Sequence, residues 1–173
     1  MEAIYKASFS SVLGRITVRA SDRGIREISL GNGRSTQKQG RSTADVKANG
    51  QTGRSGQWAR QAVRELEEYA AGRRKAFTVP LDLDGTAFQK KVWKALLTIP
   101  YGQTRSYGQI ARQVGIPRAA RAVGMANHEN PVAIVVPCHR VISSDGSLGG
   151  YAGGVQMKSQ MLRLEQANCA PAR

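Results

Sequence analysis

Two helix-start signatures, twenty residues apart, dictate the layout of the second half of this chain: Thr86 with Gln89, and Ser106 with Gln109. In each pair the hydroxyl can accept from the backbone N–H three residues on, while the glutamine reaches back to the cap. Phe88, Val92, Trp93, Leu96 and Leu97 then share one face of the first helix, and Pro100-Tyr101-Gly102 stops it. The second signature opens a short helix through Val114, with Ile110 and Ala111 inward. Gly115 ends it, and Pro117 suits the first position of a third helix running to about Ala126. Two short helices around a glycine turn form a helix-turn-helix, a pattern shared by many helical hairpins.

The first half reads differently. Residues 3–9, 16–20 and 25–30 are short β-branched and apolar segments separated by turn signals. Residues 31–56 contain six glycines and five basic residues against Asp45 alone, with Val46 the one sizeable apolar side chain. Such a segment buries too little to offset its ordering entropy, so a mobile basic loop is expected there. Trp58, Ala62, Leu66 and Tyr69 predict a helix over 57–71, followed by a short strand over 77–81 and a turn at 82–85. These readings divide the chain into an N-terminal α/β domain, residues 1–85, and a C-terminal domain, residues 86–173.

The apolar run Val132-Ala133-Ile134-Val135-Val136 predicts a buried strand that delivers Pro137-Cys138-His139-Arg140-Val141-Ile142 to a turn out of the core. Cys138 there is a candidate nucleophile, because the thiolate is the reactive species and a neighbouring histidine can help form it. Adjacent residues in extended chain point oppositely, so His139 acts through a bridging water or across a bend. A histidine in that role needs an orienting acid. Glu165 lies four and three residues after Met161 and Leu162 on the inward stripe of a closing helix, 155–166. Either it is that acid, or it is an edge residue paired with a surface base. Cys169 reads as a spare thiol, and two cysteines with two histidines form neither a disulfide scaffold nor a zinc pattern.

Charge points to the partner. The net charge is +14, and residues 86–173 carry eleven basic side chains against three acidic ones. A polyanion is favoured, since neutralising phosphates releases counterions, with solubility as the plain alternative. No apolar run approaches the ~20 residues of a membrane span, and the start lacks a signal-peptide pattern, so a cytoplasmic protein is expected, nucleoid-associated in a prokaryote.

Residues 137–142 resemble the active-site signature of the O6-alkylguanine-DNA alkyltransferases. The likeness runs from about Thr86 to Gln166 through Phe88-Gln89-Lys90-Lys91-Val92-Trp93, Ile99-Pro100-Tyr101-Gly102, Ser106-Tyr107, Ala119-Ala120-Arg121-Ala122-Val123-Gly124, Asn130-Pro131 and Gly149-Gly150-Tyr151-Ala152-Gly153-Gly154. Residues 1–85 match in layout alone. The resemblance implies a two-domain α/β protein, with a ribonuclease-H-like sheet-plus-helix domain before a winged-helix-like domain that carries the helix-turn-helix. It also implies irreversible transfer of an alkyl group from O6-alkylguanine, and from O4-alkylthymine, to cysteine. That makes a single-use repair protein needing no cofactor, monomeric on double-stranded DNA, with cooperative loading left open.

In that family's roles, Cys138 is the acceptor, His139 the water-mediated base, Glu165 the acid that polarises it, and Asn130 the brace of the active-site turn. Arg121 would fill the stack vacated by a flipped nucleotide, and Tyr107 would rotate the phosphate and contact the base, as flipped-base chemistry requires. Read without the resemblance, Arg121 is better taken as a solvated helix arginine. Ala120 and Gly153 fall among the DNA- and substrate-binding positions, Tyr151 walls the pocket, and backbone groups of Val136 and Cys138 read the guanine edge.

Three departures stand out. Residues 1–85 contain no Cys or His, so no zinc is expected; Ala152 replaces a serine donor that some members carry; and the loop 31–56 exceeds a minimal member. The alternatives are an alkylation-sensing DNA-binding regulator, which would lack the cysteine or carry an extra cysteine-rich domain, and a cysteine hydrolase, which leaves Arg121, Tyr107 and the charge unexplained.

Overall fold

Short β-branched segments joined by tight turns pair into an antiparallel meander of β1 (Tyr5–Ser11), β2 (Gly14–Ser21) and β3 (Gly24–Gly31). The computed structural model describes residues 4–31 and 53–169. Most of the expected basic loop, residues 32–52, therefore lies outside the described residues, while Gly31 closes β3 and Arg54, Ser55 and Gly56 open the helix α1 (Arg54–Ala70). The polypeptide divides into two compact units, Met1–Leu83 and Asp84–Arg173.

In the first unit the register sets Phe9 opposite Ile16 and Val18 opposite Ile28, and these side chains pack with Ala59, Ala62 and Leu66 of α1 into its core. The helix starts three residues before the expected position because its cap is tertiary. Gly53 brings no capping side chain, and the Asp22 carboxylate, from the β2–β3 turn, accepts from Ser55 N–H at 3.1 Å. The Asp22 carbonyl also takes the Trp58 indole N–H at 3.2 Å. The expected strand over 77–81 is reduced to one parallel bridge between Leu81 and Ile25. What holds this segment instead is Glu65 of α1, which accepts from the Thr78 backbone N–H at 2.9 Å and from its hydroxyl. Gly24 permits the close crossing, since a Cβ there would sit 2.6 Å from the Pro80 carbonyl oxygen.

The second unit runs α2 (Ala87–Leu96), β4 (Arg105–Ser106), α3 (Tyr107–Gln113), α4 (Ala120–His128), a single 3-10 turn (Cys138–Arg140), β5 (Val141–Ile142) and α5 (Val155–Cys169). Both capping boxes form with both of their hydrogen bonds. The Trp93 indole donates to the Ala126 carbonyl at 2.8 Å, tying α2 to α4 around Val92, Leu96, Ile110 and Val123. β4 and β5 pair in parallel, Arg105 beside Val141 and Ser106 beside Ile142.

Two expectations are corrected here. The third helix begins at Ala120, not Pro117: Pro117 sits second in a turn closed by Ala119 N–H to the Ile116 carbonyl at 2.9 Å. Proline's fixed φ suits that turn position as well as it suits a helix start. The apolar run 132–136 is not a strand either. It coils, with Val136 N–H bonded to the Val132 carbonyl at 3.0 Å and Ile134 in the left-handed region at φ 72°. Its four buried side chains, Val132, Ile134, Val135 and Val136, satisfy the apolar pattern with no more than a single bridge residue, Val132.

Candidate active site

The coil after α4 is built by asparagine. Asn130 Oδ1 accepts from Val132 N–H at 3.0 Å and its Nδ2 donates to the Val136 carbonyl at 2.8 Å, bracing both ends of the run. Ile134, a β-branched residue with φ above zero, costs on the order of 1–2 kcal/mol and persists because its side chain is fully buried. Pro137, at φ −81° and ψ 64°, centres an inverse γ-turn closed by Cys138 N–H to the Val136 carbonyl at 2.8 Å. Asn127 of α4 reaches the Cys138 carbonyl at 3.2 Å. Cys138 is thus fixed on a 3-10 turn, 4% exposed. The Val136 carbonyl thus accepts from both Asn130 Nδ2 and Cys138 N–H inside this turn.

Behind the thiol lies a buried charge cluster. His139 Nε2 is 2.6 Å from Glu165 Oε1, and both residues are fully buried. Arg140 grips the same carboxylate, Nε to Oε2 at 2.9 Å and Nη2 to Oε1 at 3.0 Å, and its Nη1 donates to the Ile99 carbonyl at 2.7 Å. Gly102 N–H adds a fourth donor at 2.9 Å. Burial alone would raise the Glu165 pKa, but the hydrogen bonds from His139 and Arg140 and the Arg140 charge outweigh it and hold the carboxyl at about 2. Burial pushes His139 below its ordinary value, against the pull of Glu165, so the ring rests neutral. With Nε2–H directed to an ionised carboxylate, the lone pair falls on Nδ1.

Burial pushes the Cys138 thiol up, opposed by hydrogen bonds from Asn130 and Tyr151 and by the Lys158 ammonium. The resting group is therefore a thiol that needs a base. Its Sγ lies 3.9 Å from the Tyr151 hydroxyl, and burial followed by the Cys138 charge raises Tyr151, which stays a neutral phenol. Tyr107, first residue of α3, is raised for the same two reasons. Its ring faces Gly124 of α4, where a Cβ would sit 3.8 Å away, and its hydroxyl faces Gly149, where a Cβ would sit 3.4 Å away.

The sequence-derived residues converge unequally. Asn130, Tyr107 and Tyr151 lie about the Cys138 thiol, and His139 with Glu165 forms the buried pair that follows it in the chain. Ala120 and Arg121 begin α4, with Arg121 exposed, and Gly153 lies half-buried in the glycine-rich loop with no described contact to the thiol. Arg140 and Lys158 were not anticipated. Lys158 is fully buried, donates from Nζ to the carbonyls of Val141 and Leu148, and stands 6.0 Å from the Tyr107 ring centroid. Burial lowers its pKa to about 8, against the Cys138 charge, which raises it. A signal existed: Lys158 precedes Met161, Leu162 and Glu165 by three, four and seven residues, on their stripe of α5. Arg140, inside the motif itself, offered no comparable sign of burial. Among the described residues no group of three or more His, Cys, Asp or Glu could hold a metal ion, and no helix is long and apolar enough to cross a membrane.

Comparison with known proteins adds a separate line. Residues 4–83 match the ribonuclease-like domain of 6-O-methylguanine DNA methyltransferase, and residues 87–167 match its DNA binding domain. The chain is 61% identical over 111 residues to the methylated-DNA--protein-cysteine methyltransferase of Mycobacterium tuberculosis, covering 64% of this chain and 67% of that protein. The protein of the same name from Methanosarcina acetivorans is 43% identical over 94% of this chain and 98% of its own length. Among solved structures, Mycobacterium tuberculosis OGT in complex with DNA superposes with a TM-score of 0.77 at 45% identity, covering 95% of this chain and 94% of that one.

Proposed function

The chain belongs to the 6-O-methylguanine DNA methyltransferase family, and on that premise we propose that Cys138 is its alkyl acceptor and His139–Glu165 the relay that activates it. The protein is a methylated-DNA--protein-cysteine methyltransferase, a single-turnover enzyme of direct-reversal DNA repair, and its partner is DNA containing alkylated guanine. The observation that carries the site reading is the fully buried His139–Glu165 pair at 2.6 Å, next in the chain to a buried thiol.

The neutral imidazole takes the thiol proton through a bridging water, and the imidazolium so formed is stabilised by a carboxylate that is already ionised. Cys138 sulfur then bonds to the alkyl carbon as the carbon–O6 bond breaks. The electron pair leaves on guanine, which takes up a proton and is restored. No redox partner is needed for this balance, and the thioether is stable, so each molecule acts once. The neutral phenol of Tyr151 donates toward the developing thiolate, while Lys158 supplies a positive charge to the same end.

Access to a base inside a duplex requires extrusion. Tyr107, its hydroxyl facing Gly149 of the glycine-rich loop, is suited to contact an extruded base, and Arg121, exposed at the start of α4, is suited to stack in the gap by its planar guanidinium.

Incubation with a duplex containing O6-methylguanine, followed by intact mass and peptide mapping, tests the acceptor. One methyl group on Cys138, absent in Cys138→Ala, is expected; binding with no adduct favours an alkylation sensor, and turnover without an adduct a hydrolase. Arg121→Ala tests extrusion. It should slow transfer from duplex DNA by roughly ten-fold or more, given an unstacking cost of a few kcal/mol, and slow transfer from free O6-benzylguanine far less. Equal slowing on both would remove Arg121 from that role.

A further inference from the structure

An open cleft of about 260 Å³ lies between the β4–α3 segment and the loop after β5, and no step above uses it. Arg105 and Arg112 line it together with the hydroxyls of Thr104, Ser106, Ser143 and Ser144, and none of its nine lining residues is acidic. Arg105 is held in place rather than neutralised: Nη1 donates to the Thr104 carbonyl at 2.9 Å and Nη2 to Gln103 Oε1 at 3.4 Å. Both are neutral acceptors, and a guanidinium has further N–H donors to offer. The parallel pairing of Arg105 with Val141 and of Ser106 with Ile142 fixes the two walls against each other. The cleft adjoins the reaction site through Gly149, where a Cβ would lie 3.2 Å from Ser143 Oγ and 3.4 Å from the Tyr107 hydroxyl.

We propose that this cleft seats a backbone phosphodiester of the DNA strand that delivers its base past Tyr107 to Cys138. The inference rests on the repair reading and adds a second strand contact to it. Two guanidinium groups and four hydroxyl donors match the two unesterified oxygens of a singly charged phosphodiester. An open cleft suits a passing backbone, which enters and leaves along the surface, and its position beside the Tyr107 hydroxyl puts it on the path of the same strand. Such a contact holds register and carries no sequence preference.

The double variant Arg105→Gln/Arg112→Gln tests this in the full chain, with duplex affinity measured between about 50 and 200 mM salt. The slope of log affinity against log salt should become shallower by about 0.9, the share of one phosphate. Affinity at the lower salt should fall roughly ten-fold, the size of a lost charge-assisted hydrogen bond. The ratio of the transfer rate from duplex to that from free O6-benzylguanine should fall with it. Arg105→Lys/Arg112→Lys should restore the slope. An unchanged slope overturns the proposal, and so does equal loss on duplex and free base, which would make the arginines part of the reaction site's fold. Inorganic phosphate is the competing source: if it raises the melting temperature of the unaltered protein and not of the glutamine variant, while the DNA slope stays the same, the cleft takes free phosphate and the DNA assignment fails. Every one of these outcomes leaves the Cys138 adduct as the separate test of repair.

Discussion

Each unit buries a glutamate on the inward face of its longest helix, and the two are put to different ends. Glu65 of α1 is 4% exposed, and its partners are Gln61, the Thr78 backbone and hydroxyl, and Arg74 at 3.9 Å. All lie within 13 residues, and none is a histidine. Glu165 of α5 is fully buried, and its partners come from residues 25, 26 and 63 positions away, one of them a histidine. The first carboxylate fastens a passing segment to a helix. The second fastens three segments together and also orients a histidine ring. Burial and hydrogen-bond count do not distinguish the two acids; a histidine partner next in the chain to a buried thiol does.

The strongest test of that contrast is the pair Glu165→Gln and Glu65→Gln. Methyl transfer to Cys138 in a single-turnover assay should fall by roughly 10²- to 10⁴-fold in the first, the range of general acid–base contributions. In the second, the rate per folded molecule should stay within about two-fold, with lower stability as the visible cost. Comparable rate losses in both would erase the distinction.

Acid unfolding sharpens the contrast next. The Glu165 carboxyl is lowered from 4.5 to about 2 on folding. Its contribution is present above pH 4.5 and is lost as pH falls from there through 2, on the order of 3 kcal/mol in full. His139 acts in the same sense: it is held below 6.5 when folded, so under that pH the unfolded chain takes up the proton more readily. Urea unfolding at pH 7 and at pH 3 should show a large loss in the parent protein and a clearly smaller one in Glu165→Gln. Equal losses would place the acid sensitivity elsewhere.

Cations give the smallest contrast. Lys158→Met leaves the Val141 and Leu148 carbonyls without their buried donor and should cost about 1–3 kcal/mol of stability. Arg19→Met removes an exposed pair with Glu27 at 3.3 Å and should cost under about 1 kcal/mol. Thermal melts of the two variants rank them, and the reverse order would contradict the burial argument.

What could be read from the chain alone follows the range of each interaction. The capping boxes at Thr86 and Ser106 are local, three residues long, and both form as the spacing predicts. The Met161–Leu162–Glu165 stripe is likewise a one-helix pattern, and it placed the acid in the core. Pro117 has two local solutions of similar quality, and the turn prevails over the helix start. The run 132–136 misled because apolarity reports burial and not conformation; its coil is set by Asn130 and by turns that no periodicity encodes. Asp22 capping α1 from 33 residues away, and Arg140 reaching Ile99 across 41, are invisible until the fold supplies the neighbours.

The Glu165 knot also ties the proposed reactivity of Cys138 to contacts between distant parts of the chain. A reactive sulfur exposed during synthesis would capture stray electrophiles and be lost before reaching DNA. Here the base behind Cys138 is oriented by an acid on the last helix, and that acid is held in turn by Gly102, 63 positions earlier in the chain. Contacts of such separation form late, because the loop entropy they close must be overcome first. On the proposed roles, Cys138 is an ordinary cysteine until they do, and its reaction waits for the finished molecule.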